Sequence, residues 1–502
     1  MGSVQNKRTF VIYLVVAIGM VVLLNLVARS WFFRLDLTEG QIFSLSSSSQ
    51  TVLKKVDDLL IAKVYFSDNL PGQYGNTRRY LQDILEEYAA YSGGNFHFEF
   101  YSPDDDEKLS LEAQKSGITP VQLQVVENDR LEIKRVYMGM VLLFGDKREV
   151  IPVIQTTTGL EYEITIKIKK LVDSERRTVA IASVASDSGP MEMVSELLKE
   201  SYNVRTLALT ATLPDDVDLL IMNGVSDSLS ETEMSTLKGY IKRGGNLLMG
   251  QNRISADLQV QVGMPLETNV FEILEPFGIT LEENLVLDRV SGQITVTQQR
   301  GFLRFNSAVN YPFFPLIQRF SDHPIVGGLE QVHMLFTSEI TWEADSVSTV
   351  QPLMYTSDHS GDITGFYNLN PVQNAQVNPA RLNEVGKVVG AYATAVSDSS
   401  GATSQLVLVA CSEFMVDGGG GRMPENGIFV LNAVDMLIGD SDLVALRSRE
   451  ITSRPLQVLD DASRTTWKSI NIALPALLVI AFGLVLWRLE ANRTKHLEEL
   501  YS

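Results

Sequence analysis

The order of apolar and polar residues divides the chain into two long apolar segments near its ends and a mixed region between them. Residues 10–28 read FVIYLVVAIGMVVLLNLVA and residues 470–487 read INIALPALLVIAFGLVLW, and neither segment contains a charged residue. A helix of this length spans about 30 Å, the thickness of the hydrocarbon core of a bilayer. The pattern therefore predicts two transmembrane helices, 10–28 and 470–487.

Each apolar segment has one alternative interpretation. The first resembles the apolar part of a cleaved signal peptide, but it is longer than such a part usually is and no small-x-small cleavage site precedes Arg29. The second has the length of a buried core helix. It is flanked, however, by the charged and aromatic residues that are typical of membrane helices, namely Trp467, Lys468, Trp487 and Arg488. We therefore interpret both segments as membrane spans.

Two spans place both chain termini on the same side of a membrane. Positive charges outside the spans are slightly more numerous near the termini, which predicts cytoplasmic ends in a bacterial inner membrane. The predicted segments are cytoplasmic tails at 1–9 and 488–502, a juxtamembrane segment at 29–58, a stalk at 441–469 and a periplasmic region that covers about 29–469.

A first α/β unit is predicted at residues 59–172. Its elements are a strand at Leu59–Phe66, a helix at Thr77–Tyr91, a strand at Phe96–Tyr101, a helix at Glu107–Lys115, strands at Val121–Val126 and Val136–Phe144, and a helix at Leu160–Leu171. This βαβαββα order is that of a thioredoxin-like domain, in which a cis proline often stands where this chain has Pro120. The segment after the first strand reads SDNLPGQY and lacks C-x-x-C, so thiol chemistry is not expected there.

A second α/β unit is predicted at residues 176–440. Its first elements are strands at Thr178–Val184, Val204–Leu209, Val217–Asn223 and Asn246–Gly250, with helices at Met191–Ser201 and after Ser230. Ser230 and Glu233 have the spacing of a capping box. The alternation predicts right-handed crossovers and a mostly parallel, doubly wound sheet. The pattern is irregular from about 254 to 404, after which the strand Gln405–Ala410 and the helix Gly427–Ile438 are expected to return to the same sheet.

Composition and charge exclude some classes of function. Of the 502 residues, 45% are hydrophobic and 21% are charged, which is typical of a globular protein rather than a disordered chain or a polytopic transporter. The formal net charge of −19 repels a phosphate backbone, so no nucleic-acid partner is expected. Cys411 is the only cysteine, so no intrachain disulfide can form.

Three segments carry residues that are capable of chemistry, and each has a simpler structural interpretation. Cys411 follows a strand, where hydrolases hold a nucleophile, but no histidine lies in a recognisable partner motif, so a buried structural cysteine is expected. Gly418–Gly421 precedes Arg422 rather than a lysine and hydroxyl pair, which favours a flexible loop over a phosphate loop. The acidic run Asp104–Glu107 is expected to cap a helix rather than to bind a metal. No catalytic, cofactor-binding or metal-ligating residue is predicted, and no cofactor is expected.

Several segments, taken in order, resemble one family. They are DLTEGQIFSLS, GLEYEITIKIKKLV, LPDDVDLLIMNG with LSETEMSTLKGYIKRGGNLLM, SDHPIVGGL and VLWRLE. Together they resemble the auxiliary components of bacterial ABC transporters, a gliding-motility-associated family of GldG-like proteins, over residues 10–490. The resemblance implies that the second unit has a glutamine-amidotransferase-like fold without its catalytic residues. The chain departs from the family at Asp187–Pro190, where relatives have a G-H-G-E-like turn, and at Cys411, where they tend to have glycine.

The resemblance also implies a function. It describes a non-enzymatic, membrane-anchored auxiliary or substrate-binding-like subunit that works with an ABC permease subunit and a separate ATPase subunit. Its periplasmic region is expected to bind a substrate or an envelope ligand, and its helices are expected to contact membrane lipid and the permease. The chain lacks G-x-x-x-x-G-K-[ST], which agrees with ATP hydrolysis by another subunit. The alternatives are a scaffold component of a gliding or secretion machine and an envelope amidase or hydrolase that uses Cys411.

Overall fold

The computed structural model of this chain describes most of residues 44–447 and parts of the two end segments. The gaps within 44–447 are residues 69, 71, 105, 128–129, 174–175, 185–188, 211, 301–302, 344–347, 375–380, 398–400, 441–442 and 445, and the described end residues are 16, 18–20, 465–475, 480, 482–484 and 486–488. The chain separates into two compact units, Met1–Thr452 and Ser453–Ser502. The second unit is described only by helical residues from 465 onward, and the fold below is that of the first.

The N-terminal part of the first unit is built on a four-stranded sheet. Its elements are α1 (Ser47–Lys54), β1 (Leu60–Phe66), α2 (Gly72–Tyr91), β2 (Phe96–Tyr101), α3 (Glu107–Lys115), β3 (Val121–Glu127), β4 (Arg130–Val136), β5 (Met138–Phe144), β6 (Lys147–Ile151) and α4 (Leu160–Val172). The sheet order is β2-β1-β5-β6, with β2 parallel to β1 and the other pairs antiparallel. Buried side chains such as Leu60, Leu85 and Ile164 form the core between this sheet and its helices.

The segment between α3 and β5 differs from the prediction. Among the described strands, β3 and β4 pair only with each other, and β5 and the unpredicted β6 complete the sheet instead. The strand predicted at Val121–Val126 is therefore present, but it lies outside the four-stranded sheet that the thioredoxin-like order led us to expect it to join. The position beside β1 is taken by β5, whose apolar run buries both faces, whereas polar residues alternate along β3. The peptide bond before Pro120 is trans, so the expected cis proline is wrong.

The segment that precedes β1 is part of the folded core. Ser46 is the N-cap of α1, and its hydroxyl accepts a hydrogen bond from the Ser49 backbone N–H. The carboxylate of Glu161, on α4, accepts from the Ser46 N–H at 2.8 Å and from the Ser49 hydroxyl at 2.7 Å. The part of the predicted juxtamembrane segment that the structure describes is thus hydrogen-bonded to α4.

The remainder of the first unit is built on an eight-stranded sheet. The elements are β7 (Thr178–Ser183), α5 (Glu192–Lys199), β8 (Asn203–Ala208), β9 (Leu219–Asn223), α6 (Glu231–Lys242), β10 (Asn246–Gly250), β11 (Ile254–Asp257), β12 (Val262–Pro265), 3₁₀ turns at Asn269–Ile273 and Glu275–Phe277, β13 (Ile279–Leu281), β14 (Leu285–Asp288), β15 (Ser291–Arg300), β16 (Leu303–Ile317), β17 (Arg319–Phe320), a 3₁₀ turn at Pro324–Val326, β18 (Val332–His333), β19 (Ile340–Trp342), β20 (Ser348–Tyr355), β21 (Ser360–Ile363), β22 (Tyr367–Asn368), α7 (Pro371–Asn374), β23 (Val388–Val396), β24 (Thr403–Val409), a 3₁₀ turn at Gly420–Arg422 and α8 (Pro424–Ile438).

The sheet order is β17-β20-β23-β24-β10-β9-β7-β8. The five strands from β8 to β24 are mutually parallel. When they are numbered by chain order and read across the sheet from β8 to β24, their order is 2-1-3-4-5, which is that of a doubly wound sheet. The predicted parallel sheet, the return of β24 and α8 to it, and the capping box of Ser230 and Glu233 are confirmed. Strands β17, β20 and β23 come from the segment that looked irregular, and they extend the sheet in antiparallel fashion.

Two apolar cores cover the two faces of the large sheet. One contains Val194 of α5 and Phe429 of α8, and the other contains Leu237 of α6. A third, aromatic core lies among the strands inserted between β10 and β23, and it includes Tyr311 and Phe336. Leu443 and Val444 are also buried, so the folded body continues past residue 440.

The prediction of a transmembrane helix at each end is wrong for the described part of the chain. A span requires about 20 consecutive apolar residues. No helix among the described residues is both long enough and apolar enough to meet this requirement. The described part of the helical stretch at 465–475 is shorter than this, and the longer α2 carries charged residues such as Arg78 and Asp83. Much of 10–28, part of 470–487 and most of the tails lie outside the described residues. The inner-membrane location that was deduced from these helices does not stand.

Candidate functional site

The parallel strands β9, β10 and β24 end side by side at the carboxyl edge of the large sheet. Gly224 follows β9, Asn252 lies two residues after β10, and Ser412 lies three residues after β24. In doubly wound sheets, ligands bind in the crevice outside the carboxyl ends of the strands. A ligand-binding site is therefore expected at this edge.

A cleft of about 700 Å³ lies at this edge, which is within the usual size of small-molecule sites. We name it the carboxyl-edge cleft. It is lined by Gly224, Ser226, Asn252, Ser255, Ala256, Asp257, Leu258, Gln259, Leu266, Phe314, Leu335, Phe336, Ser412, Glu413, Gly418 and Gly419. One wall thus comes from the strand ends of the sheet, and the other comes from the inserted strands.

Buried side-chain amides hold the strand-end loops in place. The Asn223 Nδ2 donates to the Ser412 carbonyl at 2.7 Å, which joins the end of β9 to the loop after β24. The Gln251 side chain accepts from the Val225 N–H at 2.8 Å and donates to the Val225 carbonyl at 3.1 Å. Because these bonds fix the backbone on both sides of the cleft, the wall is formed before any ligand arrives.

Glu413 is the charged group of this wall. Its side chain is partly buried, and no hydrogen bond or ion pair to its carboxylate is found among the described residues. Burial raises the pKa of Glu413, and no neighbouring cation opposes that shift. A desolvated carboxylate without a partner is a group that a bound ligand can satisfy.

The glycine-rich segment after Glu413 is closely packed, so the prediction of a flexible loop is wrong. The Gly420 N–H donates to the Glu413 carbonyl at 2.8 Å, and the Gly421 N–H donates to the Val416 carbonyl at 3.0 Å. A Cβ on Gly420 would lie 2.7 Å from the Phe414 carbonyl oxygen. Glycine is required here because the backbone approaches itself too closely for a side chain. Of the four glycines 418–421, only the exposed Gly418 would place a Cβ in open space.

The opposite wall contains a residue with an unusual backbone. Phe336 has a φ of 52°, in the left-handed region that a phenylalanine rarely adopts. Its N–H donates to the Phe313 carbonyl at 2.9 Å, and its ring meets the Phe314 ring edge to face at 5.2 Å. Such strain persists where the surroundings enforce it, and it is concentrated at functional sites.

Cys411 lies behind the cleft, not in it. The side chain is fully buried, and burial raises the pKa of its thiol to about 12. Its Sγ donates to the Leu335 carbonyl at 3.1 Å and accepts from the Leu335 N–H at 3.4 Å. The expected burial of Cys411 is confirmed, and an enclosed thiol with a raised pKa is a poor nucleophile.

A carboxylate from the loop after β24 occupies the start of the first helix of the sheet. The Asp417 carboxylate accepts from the backbone N–H groups of Glu192 at 2.9 Å and Met193 at 3.0 Å, at the N-terminus of α5. The Asp417 N–H donates in turn to the Pro190 carbonyl at 3.0 Å. Of the turn at 187–190, Asp187 and Ser188 lie outside the described residues.

Within the acidic run 104–107, Asp106 has the helix-capping role that was expected. Asp106 caps α3 by accepting from the N–H groups of Lys108 at 2.8 Å and Leu109 at 3.3 Å. The Asp104 carboxylate accepts from the Ser67 hydroxyl and from the Asp68 N–H. In the part of the chain that the structure covers, no three His, Cys, Asp or Glu side chains are grouped so that they could hold a metal ion.

Sequence reasoning did not identify Asn223, Glu413 or Asp417. The signal that was available is that polar residues lie at or near the ends of three predicted buried strands. Asn223 ends one strand, Gln251 follows the next, and Glu413 lies three residues after the third. Their convergence on one edge depends on which strands are neighbours. The chain order alone does not give that information.

Two family models and several known proteins match this chain. A family described as an ABC-type uncharacterized transport system matches residues 155–417, and a domain of unknown function matches residues 39–143. An uncharacterized protein of Borreliella burgdorferi is 21% identical over 510 residues, which cover 96% of this chain and 98% of that protein. Among solved structures, the mmIFT52 N-terminal domain is 13% identical over 52% of this chain and 97% of its own, with a TM-score of 0.34. PurLQS from Thermotoga maritima is 12% identical over 52% and 98%, with a TM-score of 0.25.

The matched segment 155–417 contains the five parallel strands and nearly all residues that line the carboxyl-edge cleft. These matches support an ABC transporter auxiliary family, but they do not support the GldG-like or gliding-motility branch of it. Since the first model covers 263 of the 502 residues, this chain belongs to the family of ABC-type uncharacterized transport system auxiliary components.

Proposed function

We propose that this chain is a non-enzymatic auxiliary subunit of an ABC-type transport system and that it binds a small ligand in the carboxyl-edge cleft. The observation that carries the proposal is the preformed cleft at the carboxyl ends of β9, β10 and β24, in a chain of a transporter-auxiliary family. The cleft offers hydroxyl groups, amides, an unpaired carboxylate and two aromatic rings, which are groups that bind and orient a ligand.

The arrangement favours binding over catalysis. The one thiol of the chain is enclosed behind the wall, and no histidine lines the cleft among the described residues. Glu413 is the sole partly buried acid in the lining, without a second group positioned as its acid or base partner. We assign ATP hydrolysis to a separate ATPase subunit that works with a permease, which the family match and the missing phosphate-loop motif support.

Two architectural assignments accompany this function. Residues 59–172 are assigned as a thioredoxin-like unit without C-x-x-C, supported by the sheet order β2-β1-β5-β6. Residues 176–440 are assigned as an amidotransferase-like doubly wound unit, supported by the order 2-1-3-4-5 of its parallel strands.

Affinity purification of the tagged full-length chain from its native host, after chemical cross-linking in cells, tests the association. We expect mass spectrometry to recover the ATPase and the permease of one ABC-type system. Gly418→Trp, which fills the mouth of the cleft, is expected to retain these partners and to lose transport, because Gly418 has open space beside it. Gly75→Trp, also in open space but on α2, is the control for the added bulk. Recovery of the chain without an ATPase or permease would contradict the proposal.

A further inference from the structure

The carboxyl-edge cleft has the chemistry of a site for one class of ligand. Resting on the function proposed above, we infer that its ligand is an organic cation, an amine carried on an apolar or aromatic body, and not a phosphate or other anion. Three independent features support this inference: the charge of the lining, the occupation of the anion-binding helix terminus, and the aromatic wall.

The charge of the lining is negative. Its two ionisable residues are Asp257 and Glu413, and none of the described lining residues is Lys, Arg or His. The exposed Asp257 carboxylate accepts through Oδ1 from the N–H groups of Gln259 at 2.7 Å and Val260 at 3.2 Å. Glu413 is the partly buried carboxylate of the lining and has no partner among the described residues, so we assign the ligand cation to it.

A nearby cation is directed elsewhere. Arg253 follows Asn252 of the lining, and its guanidinium stacks on the Phe271 ring at 4.1 Å from the centroid. It also donates to the carbonyl of Leu266, a lining residue, at 3.4 Å and approaches the Glu283 carboxylate at 3.7 Å. Among the described residues, Arg253 is paired with Glu283 and forms no ion pair with Glu413.

The usual anion site of this fold is filled from within. In doubly wound sheets, the helix after the first strand receives a phosphate on its terminal N–H groups. Here that helix is α5, and the N–H groups of Glu192 and Met193 already donate to the Asp417 carboxylate. A phosphate at this helix terminus would have to displace the Asp417 carboxylate, which belongs to the loop after β24, so the terminus is closed to anions.

The aromatic wall suits a cation with an apolar body. Phe314 and Phe336 both line the cleft opposite the strand-end loops. Aromatic faces attract organic ammonium groups, and they bury apolar groups favourably. An amine that reaches Glu413 while its body rests on these rings satisfies both walls.

Three probes that share an aromatic ring and differ in charge test the inference. Benzylamine is a cation, benzyl alcohol is neutral and benzoate is an anion. Their binding to the full-length chain is measured at pH 7 by ligand-observed NMR titration, with wild type, Glu413→Gln and Glu275→Gln. Glu275 is exposed and outside the lining, so its variant controls for the loss of one negative charge.

We expect benzylamine to bind wild type roughly fivefold more tightly than benzyl alcohol, and benzoate to bind more weakly than either. Glu413→Gln should remove the advantage of benzylamine, and Glu275→Gln should leave it. Benzoate binding as tightly as benzylamine, or an unchanged ratio in Glu413→Gln, would overturn the inference. Binding of benzyl alcohol that Gly418→Trp abolishes would still support the cleft as a site. Failure of all three probes to bind wild type would reject both the inference and the cleft as a ligand site, whereas the association with an ATPase and a permease is tested separately by the affinity purification.

Discussion

Glu413, which we propose contacts the ligand, is expected to lower the stability of the fold. Its partly buried carboxylate has no partner among the described residues, and burial raises its pKa. A raised pKa in the folded state means that the folded chain holds this proton to a higher pH than the unfolded chain does. The contribution of Glu413 to stability therefore falls as pH rises through the window between the two pKa values, and the penalty is complete above it.

Replacement of Glu413 by glutamine should consequently stabilise the fold at neutral pH. We expect Glu413→Gln to raise the free energy of unfolding at pH 7 by about 0.5 kcal/mol, a value kept small because the side chain is partly exposed. The gain should shrink as pH falls and vanish near about pH 3, where the wild-type carboxyl is protonated in both states. Urea unfolding at the two pH values provides the measurement, with Glu275→Gln as control. The titratable neighbours are Asp257 across the cleft and the Cys411 thiol, which is neutral at both pH values. A variant less stable than wild type at pH 7 would argue against this account of Glu413.

The glycines beside Glu413 provide a matched pair of substitutions. A Cβ on Gly420 would lie 2.5 Å from the Asn426 Nδ2 and 2.7 Å from the Phe414 carbonyl, whereas a Cβ on Gly418 would meet nothing within 4 Å. We expect Gly420→Ala to lower the free energy of unfolding by about 2 kcal/mol through overpacking. Gly418→Ala should change it by less than about 0.5 kcal/mol. Similar effects of the two substitutions in chemical denaturation would show that the segment is not packed as described.

At the scale of elements, α1 depends on a helix far along the chain. Glu161 is 3% exposed, and its carboxylate accepts from both the Ser46 N–H and the Ser49 hydroxyl. We expect Glu161→Ala to destabilise the first unit by about 2 kcal/mol, because it leaves buried donors unpaired. Hydrogen exchange should accelerate first at residues 46–54. Glu86→Ala, at an exposed position of α2, is the control, and equal exchange in the two variants would contradict this anchoring role.

Elements with strong local signals could be predicted from the sequence. The apolar runs of β7, β9 and β10 and the capping box of α6 have such signals, and the structure contains each of them. The short β6 was missed because its sequence, KREVI, is mostly charged. The pairing of β3 could not be predicted because the sequence of a strand does not determine which strand lies beside it. The apolar segments of the chain ends predicted membrane helices that the described residues do not contain.

The candidate site was less predictable than the fold. Cys411 and the acidic run at 104–107 were correctly interpreted because burial and capping are local properties. Glu413 and Asp417 depend on contacts with residues far away in the chain, such as the 225 positions that separate Glu192 from Asp417. Gly418–Gly421 was misread because its rigidity comes from backbone hydrogen bonds that composition does not reveal.

At the scale of the whole first unit, one buried arginine joins its N-terminal part to its large sheet. Arg447 is 3% exposed, and its guanidinium donates to the Asp435 carboxylate at 2.6 Å, to Asn432 and to the Tyr162 hydroxyl. It also stacks on the Tyr162 ring at 4.6 Å. Burial raises the pKa of Asp435, and the adjacent guanidinium opposes that shift. Tyr162 belongs to α4, and Asn432 and Asp435 belong to α8.

Removal of this arginine should strongly destabilise the first unit. We expect Arg447→Ala to lower the free energy of unfolding by about 3 to 5 kcal/mol at pH 7, because Asp435 would remain buried without its counterion. The loss should shrink as pH falls and Asp435 takes up a proton. The double variant Arg447→Met with Asp435→Leu should recover much of the stability. Arg422→Ala, at an exposed position, is the control. A loss below about 1 kcal/mol in thermal and urea unfolding would contradict the role of Arg447.

The central claim is that the carboxyl-edge cleft holds a small ligand in the working protein. The most direct measurement is mass spectrometry of small molecules released from the full-length chain after purification from its native host, with wild type and Gly418→Trp compared in parallel. The account predicts an amine-bearing compound that is enriched in the wild-type extract and missing from the Gly418→Trp extract. Identical extracts from the two proteins would contradict it.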